Sequence, residues 1–117
     1  MSAVMAARVM PRKLACELMF TGEMWPARKL ELAGFINRVV PSDQVMAVAT
    51  GVAERIAAKP PLALAAAKEL MRRMDELEPQ ALLSEAFRRA EQVFETQDFA
   101  EGLRAFEENR PPAFRGV

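Results

Sequence analysis

A side chain able to carry protons near neutral pH is the first thing to look for, and this sequence has no histidine and no tyrosine. General acid–base work then falls to carboxylates and lysines held in a pocket that tunes their pKa. Glu69 and Glu91 lie near apolar stripes, and Asp75, Glu76 and Glu78 cluster where a helix should end. Charge clusters at helix ends are ordinarily solvated surface, which is the reading given to residues 75–78. Lys68 follows Leu64 by one helical turn. It could meet a phosphate or carboxylate, but a stem lying along apolar surface with its ammonium in water is the simpler account. Cys16, the one cysteine, sits among Leu14, Ala15, Leu18 and Met19 with no histidine to act as its base, and reads as a buried structural thiol. A lone thiol also fits a reducing cytoplasm. One cysteine, no histidine and no alternating acidic loop leave no metal site. The glycines, Gly22, Gly34, Gly51, Gly102 and Gly116, are too scattered to cradle a phosphate, and no nucleophile elbow is present. No catalytic residue, no metal ligand and no resident cofactor are assigned.

Bulk properties agree with a packing role. Lysine plus arginine and aspartate plus glutamate both number 16, for a formal net charge of +0. The basic excess through which nucleic-acid binders neutralise phosphate is absent. No apolar run approaches the roughly 20 residues that span a bilayer. Arg8, Arg12 and Lys13 precede any acid, in faint similarity to a transit peptide, but the amphipathic pattern continues through Pro11 into Met19 and Phe20, as in an ordinary helix. Hydrophobic residues make up 51% of the 117, enough for a sizeable core. Of the 8 methionines, Met5, Met10, Met19, Met71 and Met74 fall near apolar bands, where flexible thioethers fill either core gaps or association surfaces.

The elements expected to position these groups are helices. Residues 2–10 read as a short buried helix. Pro11 suits the first turn of a second, which stops at Thr21 and Gly22. A third runs from about 27 to 33 and ends at Gly34. Residues 35–40 have the β-branched content of a short extended segment. Ser42 is a good N-cap for a helix over about 43–58, whose Val45, Val48, Ala49, Val52 and Ile56 recur at helical spacing. Gly51 in its middle suggests close approach of another helix. Lys59-Pro60-Pro61 breaks the chain. An alanine-rich helix over about 62–77 carries Leu62, Ala66, Leu70 and Met74 in one band. Pro79 opens another, striped by Leu82, Leu83, Ala86, Phe87, Ala90, Val93 and Phe94. The last begins near Asp98, which with Glu101 resembles a capping box, and presents Phe99, Leu103 and Phe106 on one face. Residues 113–117 form a tail with one anchor, Phe114.

Three stretches together resemble the enoyl-CoA hydratase/isomerase, or crotonase, family. The first is Thr21-Gly22, then Ala27, then Gly34-Phe35-Ile36-Asn37-Arg38-Val39-Val40-Pro41. The second is Ile56-Ala57-Ala58-Lys59-Pro60-Pro61-Leu62-Ala63 with Lys68. The third is Asp98-Phe99-Ala100-Glu101-Gly102, then Ala105-Phe106-Glu107-Glu108-Asn109-Arg110-Pro111-Pro112-Ala113-Phe114-Arg115-Gly116. The resemblance covers the chain from about residue 2, but only the later part of the family's usual length. It implies a mainly α fold with at most one short strand: the end of the spiral core over 1–41 and the C-terminal helical assembly region over 42–117. The earlier half, which in the family supplies the oxyanion-hole N–H groups and, in hydratases, paired glutamates, has no match here. The chain is therefore not expected to act alone as a lyase or isomerase on acyl-CoA. Homo-oligomers, as trimers or dimers of trimers, are the implied partners. The chain departs from the family's habits at Leu30, Phe35, Ala90 and Asn109, the last replacing a lysine that can contact CoA. Phe106 and Arg110 are left as candidate CoA contacts. A reading from another class is an independent helical interaction module derived from this family.

Overall fold

The computed structural model describes residues 3–117. Among them the chain forms α1 (Ala3–Val9), α2 (Arg12–Thr21), α3 (Ala27–Leu32), a 3-10 turn (Ser42–Gln44), α4 (Val45–Ala57), α5 (Pro61–Arg73), α6 (Pro79–Phe94) and α7 (Gln97–Glu107), with no strand. It divides into two compact units, residues 1–47 and 48–117.

In the first unit α1 packs on α2. Ala6, Met10, Ala15 and Ala33 are its buried centre, ringed by Leu14, Leu18, Trp25, Leu30 and Phe35. Small side chains at three of the four central positions let the backbones approach, and the larger rim residues close over them. Pro11 stands one position earlier than expected. It is the residue before α2 rather than part of its first turn, and its carbonyl accepts from the N–H groups of Leu14 and Ala15. As the sequence implies, Gly22 ends α2 with φ 65°.

Gly34, at φ 74°, ends α3. The N–H of Gly34 donates to Glu31 O and that of Phe35 to Leu30 O, the paired bonds of a Schellman motif. The chain then bends through 35–37 and runs irregularly to 40, so the extended segment expected over 35–40 is not a strand. Among the described residues no strand offers it a ladder; the Val39 N–H goes instead to the Glu31 carboxylate at 2.9 Å. The expected cap at Ser42 is also displaced. Ser42 opens the 3-10 turn behind Pro41 and makes no capping bond, and α4 begins at Val45.

In the second unit α5 packs on α6 and α6 on α7. Both α5 and α6 carry a proline at their start, where the missing N–H costs no helical bond. Ala63, Ala66, Ala67 and Leu70 of α5 face Ala86, Ala90, Val93 and Phe94 of α6 across a shallow apolar cleft. A second stripe on α6 turns outward, with Leu83 57% and Phe87 64% exposed. Gly51 has no atom within 4 Å of where a Cβ would stand, so the close helix approach expected there is absent among the described residues.

The start of α7 corrects the capping-box expectation. Thr96, not Asp98, is the cap: its Oγ1 accepts from the Phe99 N–H at 3.1 Å and donates to Val93 O at 2.7 Å. Asp98 and Glu101 are thereby released for another task.

Among the described residues the buried apolar side chains are Ala6, Met10, Ala15, Ala33 and Ala105, and none of the large ones is fully buried. Phe20, Met24, Leu32 and Phe106 are each more than 80% exposed.

Candidate functional site

The densest polar constellation lies where α7 meets the chain end. Asp98 is 2% exposed. One of its oxygens accepts the Arg115 N–H at 2.6 Å and the other the Gly116 N–H at 2.8 Å. The Asp98 N–H in turn donates to Val117 O at 3.2 Å. One turn later, Glu101 accepts from Arg110 through both oxygens, at 2.6 and 3.0 Å, and from the Ala113 N–H at 2.9 Å. The Arg110 guanidinium, followed by the Ala113 N–H, holds the Glu101 carboxyl down at about 2. Arg110 is correspondingly pushed up, by Glu101 first and Glu108 second. A cleft of about 400 Å³ is lined here by Gln97, Arg104, Ala113, Arg115 and Val117 together with these ion-paired groups.

Of the two candidate CoA contacts, Phe106 is 86% exposed, a ring free to meet a ligand or a partner surface. Arg110 has its donors engaged by Glu101, Glu108 and its neighbour's Pro111 carbonyl. Asn109 sits at φ 54°. Its N–H donates to Phe106 O and the next, Arg110, to Ala105 O, a second Schellman motif with asparagine in the left-handed position. Asparagine visits that region more readily than lysine, which gives this departure from the family habit a local cause. The tail is held by four backbone bonds to Asp98 and Glu101, and by the Phe114 ring, 3.7 Å from where a Gly102 Cβ would stand. Phe114 is therefore not its one anchor. The signal for this was present in Asp98 and Glu101 but was spent on the capping box.

The remaining candidates do not converge. Glu69 pairs with Arg72 at 2.8 Å, which lowers its pKa, and Arg72 also binds Glu76. Glu85 gathers Arg73, Arg88 and Arg89 and is held at about 2, chiefly by its bond to Arg88. Glu31 is lowered first by the Val39 N–H. Glu91, Lys68, Asp75 and Glu78 are exposed and Cys16 is half-buried. Glu31, Glu69, Glu85 and Glu101 are each lowered, toward a fixed anion and away from the raised pKa that a general acid needs. Among the described residues no group of histidine, cysteine, aspartate or glutamate could hold a metal ion, and no helix is long and apolar enough to cross a membrane.

Comparison with known proteins sets this helical arrangement in a class. The family model for enoyl-CoA hydratase/isomerase matches residues 1–117. An enoyl-CoA hydratase of Mycobacterium tuberculosis is 38% identical over 120 residues, covering 97% of this chain and 43% of its own. The 2,3-dehydroadipyl-CoA hydratase of Escherichia coli is 34% identical over 109 residues, covering 93% and 43%. The crystal structure of an enoyl-CoA hydratase from Bacillus anthracis superposes with a TM-score of 0.85 at 32% identity, covering 94% of this chain and 43% of that one. The fold is thus a helical portion of the crotonase type. The chain belongs to the enoyl-CoA hydratase/isomerase family, and it spans less than half the length of the relatives it matches.

Proposed function

We propose that this chain is the C-terminal helical, subunit-assembly part of an enoyl-CoA hydratase/isomerase family protein that acts on acyl-CoA thioesters, and that it does not catalyse by itself. The observation that carries the reading is the outward-facing apolar surface: Leu32, Phe20, Met24, Phe87 and Phe106 stay largely exposed while the buried apolar side chains are mostly alanines. Single exposed apolar residues are ordinary, but in each unit taken by itself large apolar side chains left this open are what a face presents before another part of the protein or a partner subunit covers it. The arginine-locked carboxylates support the non-catalytic half of the reading. A thioester enolate needs donors aimed at its oxygen, and in the family those belong to the earlier half. Homo-oligomers, trimers or dimers of trimers, are the assembly proposed, with the reducing cytoplasm as the compartment. Phe106 is the better placed of the two candidate CoA contacts, since the charge of Arg110 is already neutralised.

Purified chain mixed with crotonyl-CoA tests the catalytic claim. No 3-hydroxyacyl-CoA should form above the uncatalysed rate; turnover by the chain without any partner would overturn it.

A further inference from the structure

Among the described residues Asp98 is the buried charged one, and its burial is matched bond for bond by residues 115–117. A carboxylate taken out of water is tolerated only when hydrogen-bonded, and here the partners are backbone N–H groups of Arg115 and Gly116. Glu101, one turn along the same face, takes the Ala113 N–H. Between the two attachments the Phe114 ring lies over Gly102, 3.7 Å from where a Cβ would stand, in ordinary contact. Beyond them Gly116, at φ +80°, turns against Pro61, whose Cγ would stand 3.0 Å from an added Cβ. The strap therefore ties the head of α7 to the head of α5. It also supplies Ala113, Arg115 and Val117 as one wall of the 400 Å³ cleft.

A short segment with no helix or strand of its own depends on its attachments. Once one attachment opens, water reaches the next, so such a unit exchanges between closed and open as a whole. We propose that residues 111–117 are a latch that opens and closes cooperatively, with Asp98 and Glu101 as its two catches, and that its closure forms the cleft beside α7. Opening removes one wall of the cleft and turns the Asp98 carboxylate to water. Asp98 and Glu101 are positioning residues in this device.

Amide hydrogen exchange followed by NMR on the full chain tests it. The Ala113, Arg115 and Gly116 amides should be protected to a common extent. Glu101→Gln touches only the Ala113 amide of the three while weakening the carboxylate's charge-assisted bonds to Arg110 and to that amide, and should speed exchange at all three by about tenfold or more. The Ala90 and Val93 amides of α6 should be unchanged. Asp98→Asn and Phe114→Ala should reproduce the pattern, and trypsin cleavage after Arg115 should quicken in step. If Asp98→Asn does not fold, the other two variants decide. Acceleration confined to Ala113 in Glu101→Gln would overturn the proposal, as would absent protection in the parent chain or equal acceleration throughout α6.

Discussion

Replacing Leu83 and Phe87 together by glutamine separates an assembly surface from a core. The two residues are one helical turn apart on α6, 57% and 64% exposed, on a stripe beside the alanine face that meets α5. Burying a leucine or phenylalanine completely is worth about 1.5–3 kcal/mol. With roughly three-fifths of each still in water, about 1–2 kcal/mol per residue remains for a partner to collect. The covered remainder supports the chain's own fold by only about 0.5–1 kcal/mol per residue. Glutamine propagates a helix almost as well as leucine, so α6 itself should survive. Self-association measured by sedimentation equilibrium should therefore weaken by about 30-fold to 700-fold, since the two residues together supply about 2–4 kcal/mol and about 1.4 kcal/mol is a factor of ten. Stability from the denaturant midpoint, taken at a concentration where the chain is dissociated, should fall by only about 1–2 kcal/mol. An unchanged association constant with a loss of about 4 kcal/mol in stability, the cost of a core deletion, would refute the reasoning.

Other expectations concern local devices. Thr96→Ala removes the cap accepting the Phe99 N–H and should cost about 1 kcal/mol in urea unfolding; no change would deny that cap its role. Asn109→Val places a β-branched residue at φ 54° and should destabilise by about 1–2 kcal/mol, whereas Asn109→Gly should be neutral or slightly stabilising. The Glu85 and Glu101 carboxyls are both held near about 2 against an ordinary 4.5. Their folded pKa values lie below the unfolded ones, so the stability they contribute is whole above about pH 4.5. It is lost as pH falls toward 2, and the urea midpoint should decline through that window, more gently at high salt. A midpoint flat from pH 6 to pH 3 would contradict both ion pairs.

Helices were legible because their signals are local. Prolines at the starts of α5 and α6 and glycines after α2 and α3 are read from single residues, and the stripes of α5 and α6 from spacing. What misled was long-range. Asp98 and Glu101 have the spacing of a capping box, yet their side-chain partners lie 9 to 18 residues later, and no local rule connects them. Residues 35–40 have strand-like composition, but a strand exists only beside another, and the Val39 amide found the Glu31 side chain instead. Ser42 lost its cap role because it is itself the first residue of a tight 3-10 turn that Pro41 precedes. Gly51 pointed to a close neighbour that the described residues do not supply. Of the site, Phe106 and Arg110 came only through the family resemblance; neither residue's spacing marks it, and Arg110 proved to be bound to the Glu101 carboxylate.

Solution mass by light scattering on the purified 13.0 kDa chain tests the central claim most directly. A discrete trimer or hexamer is the result predicted for an assembly segment whose apolar helix faces meet copies of themselves. A monodisperse monomer that stays monomeric as concentration rises would contradict it, and would mark the chain as an independent helical module.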